Sequence, residues 1–234
     1  MDTSEEIMAK VIELLGKIED KIKYIEGRIN DVLSHIPGFL SYIVHKVQDA
    51  WNAMLSKLEE FWGWFTDKLT YVGNPFVLNG AANGWKLMGA KVARINDTIT
   101  DQALSVDDAW TGRAADQYRE SIDPQRTANT SIMADYASNI ADAMTTLAGA
   151  IIAFWVGVVI AIVTLLGALA GAAIATGSII GLPAAPVLIV LGIVAFLVAA
   201  GGGVAILYVA AGGSRSDLSS TTAGVTPWPK IATQ

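Results

Sequence analysis

The chain has 234 residues, 53% hydrophobic but only 16% charged and 8% aromatic, so its apolar content is mainly Ala, Val, Ile and Leu alongside 22 Gly. Such a composition excludes a disordered chain. The absence of Cys excludes disulfides, thiolate metal sites and cysteine nucleophiles, and a net charge of −6 argues against a general nucleic-acid binder, which carries a basic face.

The N-terminal region, 1–72, reads as a pair of amphipathic helices. Apolar residues recur at Ile7, Val11, Leu14, Ile18, Ile22, Ile25, Ile29, Leu33 and Ile36, steps of three and four that form one helical stripe with Glu and Lys elsewhere. Thr3 or Ser4 suits the N-cap. Glu5, Glu6, Glu13, Glu19 and Asp20 interrupt any apolar run there, so no signal peptide is expected. Pro37-Gly38 ends the first helix. A second stripe follows through Leu40, Val44, Val47, Trp51, Met54, Leu58, Phe61, Phe65 and Leu69, and stops at Val72-Gly73-Asn74-Pro75. Aromatics gather toward its end, including Trp62, Trp64 and Tyr71. Two readings stand for them: a packed helix–helix core, or an interfacial belt of Trp51, Trp62 and Trp64, with Trp155 further on, resting at lipid headgroups.

Region 74–147 reads as a helical hairpin. Trp85, Met88, Val92, Ile95 and Ile99 place one helix over about 81–106, and Tyr118, Ile122, Ile132, Tyr136, Ile140 and Leu147 place a second. Between them lies Asp107-Asp108-Ala109-Trp110-Thr111-Gly112, where Gly112 can take the left-handed conformation that ends a helix and Trp110 can cover the open end of the pair. Asp107 and Asp108 suit a helix N-terminus. Pro124 either kinks the second helix or restarts it, with Asp123 as cap. Trp110-Thr111-Gly112, followed by Ala114-Ala115 and Tyr118 and set between two amphipathic helices, resembles the Trp-x-Gly (WXG) superfamily of helical hairpins. That family is exported by type VII secretion systems of Gram-positive and actinobacterial cells. The resemblance implies pairing into helical bundles and a role as secretion substrate or targeting domain. The family's export signal, a Tyr with an acidic residue four positions on, is absent: Ile122 follows Tyr118 and Ile140 follows Tyr136 at that distance, so export rests on a partner that carries the signal.

The 72 positions from 143 to 214 hold no Asp, Glu, Lys or Arg. Fourteen Lys+Arg and 21 Asp+Glu precede this run, and Arg215, Asp217 and Lys230 follow it. One membrane-spanning helix needs about 20 apolar residues, so region 148–213 reads as a transmembrane-type hairpin with spans over 151–175 and 187–211. Each span is about 37 Å long at about 1.5 Å per residue. The connector is marked by Gly177, Gly181, Pro183 and Pro186. A buried hairpin in a soluble oligomer is the alternative. Gly167, Gly171 and Ala175 are spaced for close helix contact in lipid, while Gly192 stands alone and Gly201-Gly202-Gly203 is a soft point. Residues 214–234, rich in Ser, Thr, Gly and Pro, read as a flexible tail in which Trp228 sits between two prolines.

Chemistry is sparse. His35 and His45 form no His-Glu-x-x-His pattern, no Gly-x-Ser-x-Gly elbow exists, and the glycines before Lys86 have the wrong spacing for a phosphate loop. Asn96-Asp97-Thr98 and Asn129-Thr130-Ser131 match the glycosylation triplet, which arises often by chance. No enzyme activity, metal or cofactor is expected. The fold expected is all-α: amphipathic helical hairpins plus a transmembrane-type hairpin. The partners expected are a lipid bilayer and a second copy or a paired helical subunit, with no nucleic acid. Two functions fit: a secreted effector whose hairpin inserts, oligomerises and permeabilises a membrane, as in pore-forming toxins, or a resident membrane-anchored scaffold linked to type VII secretion.

Overall fold

A computed structural model describes residues 3–71, 73–99 and 110–223, and all the regular structure among them is helical. Helices α1 (Thr3–Leu33) and α2 (Ser41–Tyr71) are joined through a 3-10 turn at Gly38–Leu40. Then come α3 (Pro75–Ala93), the short α4 (Ile95–Thr98) and α5 (Arg113–Ser131), a π-helical turn at Ile132–Ala137, and the long helices α6 (Ser138–Ala175) and α7 (Ala184–Ala223). The chain divides into two compact units, Met1–Gly73 with Ile151–Leu207, and Asn74–Ala150 with Tyr208–Gln234. Both α6 and α7 contribute to each.

In the first unit the stripes read from sequence become buried faces. Val11, Ile18 and Ile25, seven residues apart on α1, are fully enclosed, as are Val47, Met54 and Phe61 at the same spacing on α2. Side chains of this size contribute about 1.5–3 kcal/mol each when fully buried. The outer face of α1 carries solvated ion pairs: Glu13 bonds Lys17 at 2.5 Å and Lys10 at 2.9 Å, and Lys23 bonds Glu19 at 2.7 Å. Bonding from Lys17, then Lys10, lowers the Glu13 carboxyl from 4.5 to about 2, and the bond from Glu19 raises Lys23. Because the folded value of Glu13 is depressed, its contribution is present above its ordinary range and fades as pH falls from 4.5 toward about 2. These exposed pairs keep the face in water more than they stabilise the fold.

The second unit starts earlier than the hydrophobic stripe suggests. Asn74 caps α3, its Oδ1 accepting from Phe76 N at 2.9 Å and Val77 N at 3.3 Å, and Pro75 supplies a φ suited to the first turn. The helix expected over 81–106 therefore starts at Pro75 and ends at Ala93, with α4 after it, and residues 100–106 of that expectation lie outside the described residues. Against α3 lies the π-helical turn, with Trp85 and Tyr136 edge-on at 6.1 Å. At Gly89 a Cβ would stand 2.6 Å from Ala137 Cβ and 2.8 Å from Met133 Sδ, so only glycine permits this approach. The side chain of Asn96 donates to the Arg126 carbonyl (2.9 Å) and the Thr130 hydroxyl (3.0 Å) and accepts from Asn129 Nδ2 (2.9 Å). The Arg126 guanidinium donates to the Ile99 carbonyl. The two glycosylation-like triplets are thus one hydrogen-bonded cluster joining α4 to α5, and Asn129 is buried within it.

Of the two sequence readings at Pro124, α5 follows the one in which the helix does not restart. Two boundaries differ from the sequence reading. Helix α7 begins at Ala184, so Pro186 lies in its first turn, where no partner for its missing N–H is needed. The expected flexible tail is helical to Ala223: Ser214 Oγ donates to the Ala143 carbonyl at 3.1 Å and is buried, while Ser220, Thr221 and Thr222 return their hydroxyls to backbone carbonyls within the helix. Asp107, Asp108 and Trp228 lie outside the described residues.

Two glycines should respond oppositely. Gly89→Val forces α3 off the π-helical turn and should cost about 1–3 kcal/mol or more. Gly16→Ala, exposed in mid-helix with open space around it, should gain about 0.5–1 kcal/mol. Denaturant unfolding followed by circular dichroism measures both.

Candidate functional site: the apolar hairpin and its helical partner

Every position of the hairpin is uncharged, yet its two helices use only one face each inside the first unit. Buried residues on α6 follow steps of four and three: Ile151, Trp155, Val158, Ile162, Leu165, Leu169 and Ala172. On the other arm the same rhythm runs from Leu182 through Pro186, Ile189, Ile193 and Phe196 to Ala200. That is the spacing of a helix–helix seam. The two helices come close at Gly192, where a Cβ would stand 2.8 Å from Ala168 Cβ and 2.9 Å from Leu165 Cδ1.

A second apolar stripe lies on the outside. Val156, Ile160 and Val163 on α6, and Val187, Leu191, Val194 and Val198 on α7, are all exposed, Ile160 by 62% and Val198 by 71%. Gly167 and Gly171 belong to this outer side of α6, with no atom within 4 Å of the place a Cβ would take. The small-residue spacing at Gly167, Gly171 and Ala175 is therefore not the contact that closes the hairpin; Gly192 is. The connector between the helices is tightly turned. Gly177 N donates to the Ile174 carbonyl at 3.0 Å, Gly181 N to Ser178 Oγ at 3.1 Å, and Ala184 N to the Gly181 carbonyl at 2.9 Å around Pro183. A Cβ on Gly181 would collide with the Ala175 carbonyl.

The aromatics near the end of α2 close on the hairpin. Phe196, fully buried, meets Phe61 (ring centroids 4.9 Å), Trp64 (5.4 Å) and Phe65 (5.4 Å, stacked), and Trp64 also faces Phe154 at 6.3 Å. Trp155 is buried beside Phe154 at 5.1 Å. Trp155 is thus enclosed in this fold, while Trp64, half-buried, packs its ring on Phe65, Phe196 and Phe154. Trp62 is half-buried with its ring edge-on to Phe61. Trp51, also half-buried, lines an open groove of about 420 Å³ between α1 and α2, with Glu26, Asn30, Val47 and Asp49. Sequence reasoning located the aromatics of α2 but not their partners, Phe154 and Phe196, nor Gly192.

In the second unit the Trp-Thr-Gly turn opens α5. Gly112 has φ 108° and ψ 178°, a region essentially reserved for glycine, and it forms the N-cap of α5. Its carbonyl accepts from Ala115 N at 2.9 Å and Asp116 N at 3.2 Å. Ala115 turns inward and is buried. Among the described residues Trp110 meets Tyr118 of α5, with ring centroids 5.6 Å apart, and the two residues are 38% and 39% exposed.

The arrangement supplies apolar surface and little else. His35 Nδ1 lies 2.8 Å from the Asp31 carbonyl and 2.9 Å from Ser34 Oγ, a local contact at the end of α1. Among the described residues no three His, Asp or Glu side chains converge on a point. Two helices are long and apolar enough to cross a membrane, and 39% and 22% of their most apolar stretches is buried within the chain. No family model matches the chain, and neither a curated protein nor a solved structure matches it significantly.

The turn separates two kinds of importance. Gly112→Ala places a side chain at positive φ and should cost about 1–3 kcal/mol. Trp110→Ala removes a partly exposed ring whose described ring partner is Tyr118 and should cost less than about 1.5 kcal/mol, the value of one aromatic pair. Thermal unfolding of the two variants should rank them in that order.

Proposed function

We propose that this chain is a non-enzymatic, membrane-active helical protein that inserts the hairpin of α6 and α7, self-associates and permeabilises a bilayer. The observation that carries the reading is the outer stripe: Val156, Ile160 and Val163, with Val187, Leu191 and Val198, stay open in a segment without a single charge. Exposed apolar side chains in this number call for lipid or another protein surface. Gly167 and Gly171 on the same side leave room for a neighbouring helix backbone. The turn at Trp110, Gly112, Ala115 and Tyr118 supports a WXG-like identity for the second unit, and with it release through a type VII system of an actinobacterial or other Gram-positive cell before insertion. The alternative is a resident membrane-anchored scaffold of that system, favoured by the fact that the stripe is already open in this fold.

Vesicle leakage decides between them. The purified chain, added to liposomes loaded with a fluorescent dye, should release it. Gly167→Ile with Gly171→Ile keeps the hairpin apolar but blocks close approach, so binding should persist while release falls by about tenfold. Ile160→Leu, on the same face with no added bulk, should leave release unchanged. A chain that stays with the lipid yet releases no dye at any protein-to-lipid ratio overturns the effector reading and leaves the anchor.

A further inference from the structure

We propose that the aromatic contact between the end of α2 and the hairpin is a latch that must open before the hairpin enters a membrane; this rests on the membrane-active reading. The contact consists of Phe61, Trp64 and Phe65 from α2 against Phe154 and Phe196. Phe196 lies mid-way along the apolar stretch of α7, ten or more residues from the charges that follow it at Arg215 and Asp217. Inside a bilayer it would sit deep in hydrocarbon. Helix α2 cannot follow it there. Within one turn of Phe61 and Phe65, α2 carries the Lys57–Glu60 ion pair (2.6 Å), Glu59, and the adjoining Lys68 and Asp67 pair (2.5 Å). Charges placed on a lipid-facing helix at that depth are strongly disfavoured. The helix before it is no better suited, with Lys10, Glu13 and Lys17 on its open face.

The two states therefore exclude each other. Either α2 holds Phe196 and the hairpin stays out, or the hairpin inserts and the rings of α2 let go. The contact is also well placed to act cooperatively: Phe61 and Phe65 pack edge-on at 5.1 Å, both close on the same ring of Phe196, and all three are buried. By contrast the seam inside the hairpin, at Gly192 against Ala168 and Leu165, involves no charged neighbour and can travel into lipid intact.

The natural absence of Cys makes the test direct. Phe65→Cys with Phe196→Cys, joined by a short reducible bis-maleimide, ties α2 to α7. The matched control is the same double-cysteine chain capped with a mono-maleimide, which carries both substitutions without the tie. On dye-loaded liposomes of mixed zwitterionic and anionic lipid, the α2–α7 tie should reduce release by about tenfold or more, reduction of the linker should restore it, and the capped chain should release at least as fast as the native one. A separate variant without cross-links, Phe61→Ala with Phe65→Ala, should release dye faster than the native chain, by about threefold or more, because the closed state is weakened. A merely structural role for these rings would slow it instead. Release at the native rate while α2 and α7 remain tied overturns the latch and leaves the membrane reading intact. No release from the unmodified chain overturns the membrane reading itself.

Discussion

A helical hairpin with no charge from 143 to 214 has no side that water solvates well, and the rest of the first unit follows from that constraint. One face of each arm is taken up by the seam through Ile162, Leu165, Ile189 and Ile193. A further part is taken by α2, whose Phe61, Trp64 and Phe65 gather on Phe196. The amphipathic helices have a matching need, since each carries a stripe too regular to stand alone. Their apolar sides are buried within the unit while Lys10, Glu13, Lys17, Lys57 and Glu60 look to water. What α1 and α2 do not cover is the outer stripe, and that remainder is the source of the functional reading.

Much of this was legible in the sequence wherever polar and apolar residues alternate with a helical period. Val11, Leu14, Ile18, Ile22, Ile25 and Ile29 were placed on one face by spacing alone, and all six are buried. The same reasoning could not orient α6 or α7, because a helix that is apolar all round gives no contrast from which to choose a face. The place of Gly192 in the seam was missed for that reason. Gly167 and Gly192 both sit in runs of small and branched residues, and only the three-dimensional contact of Gly192 with Ala168 distinguishes the closing glycine from the open one.

Elsewhere the missed features had usable signals. Asn74-Pro75 was read as the end of α2, yet an Asn followed by Pro is also a cap with its first helical residue, and that is the role it plays for α3. The polar stretch after Ser214 was read as a tail because Ser and Thr favour turns. Within a continuing helix their hydroxyls instead return to carbonyls one turn back, as Thr221 does to Asp217 at 2.8 Å. A positive φ at Gly112 was foreseen, but as the end of a helix; its place at the start of α5 and the exposure of Trp110 depend on backbone geometry that no triplet specifies.

The two faces of the hairpin also differ in kind, and the difference bears on how such a segment can serve two environments. The inner side carries the large rings, Phe154, Trp155 and Phe196, of which Phe154 and Trp155 meet each other at 5.1 Å within the hairpin. The outer stripe carries Val, Ile and Leu interrupted by Gly167, Gly171, Gly201 and Gly202, and no ring between Val156 and Ile206 faces outward. Branched aliphatics and glycine pack against acyl chains or a second helix without demanding one partner geometry, whereas an aromatic cluster specifies its neighbours. A chain that must hold one set of contacts while exchanging another places its specific contacts inside and its permissive ones outside. On the membrane-active reading, the rings contributed by α2 are the one part of the specific set that belongs to a charged helix, so any transfer of the hairpin into lipid has to break the contact there first.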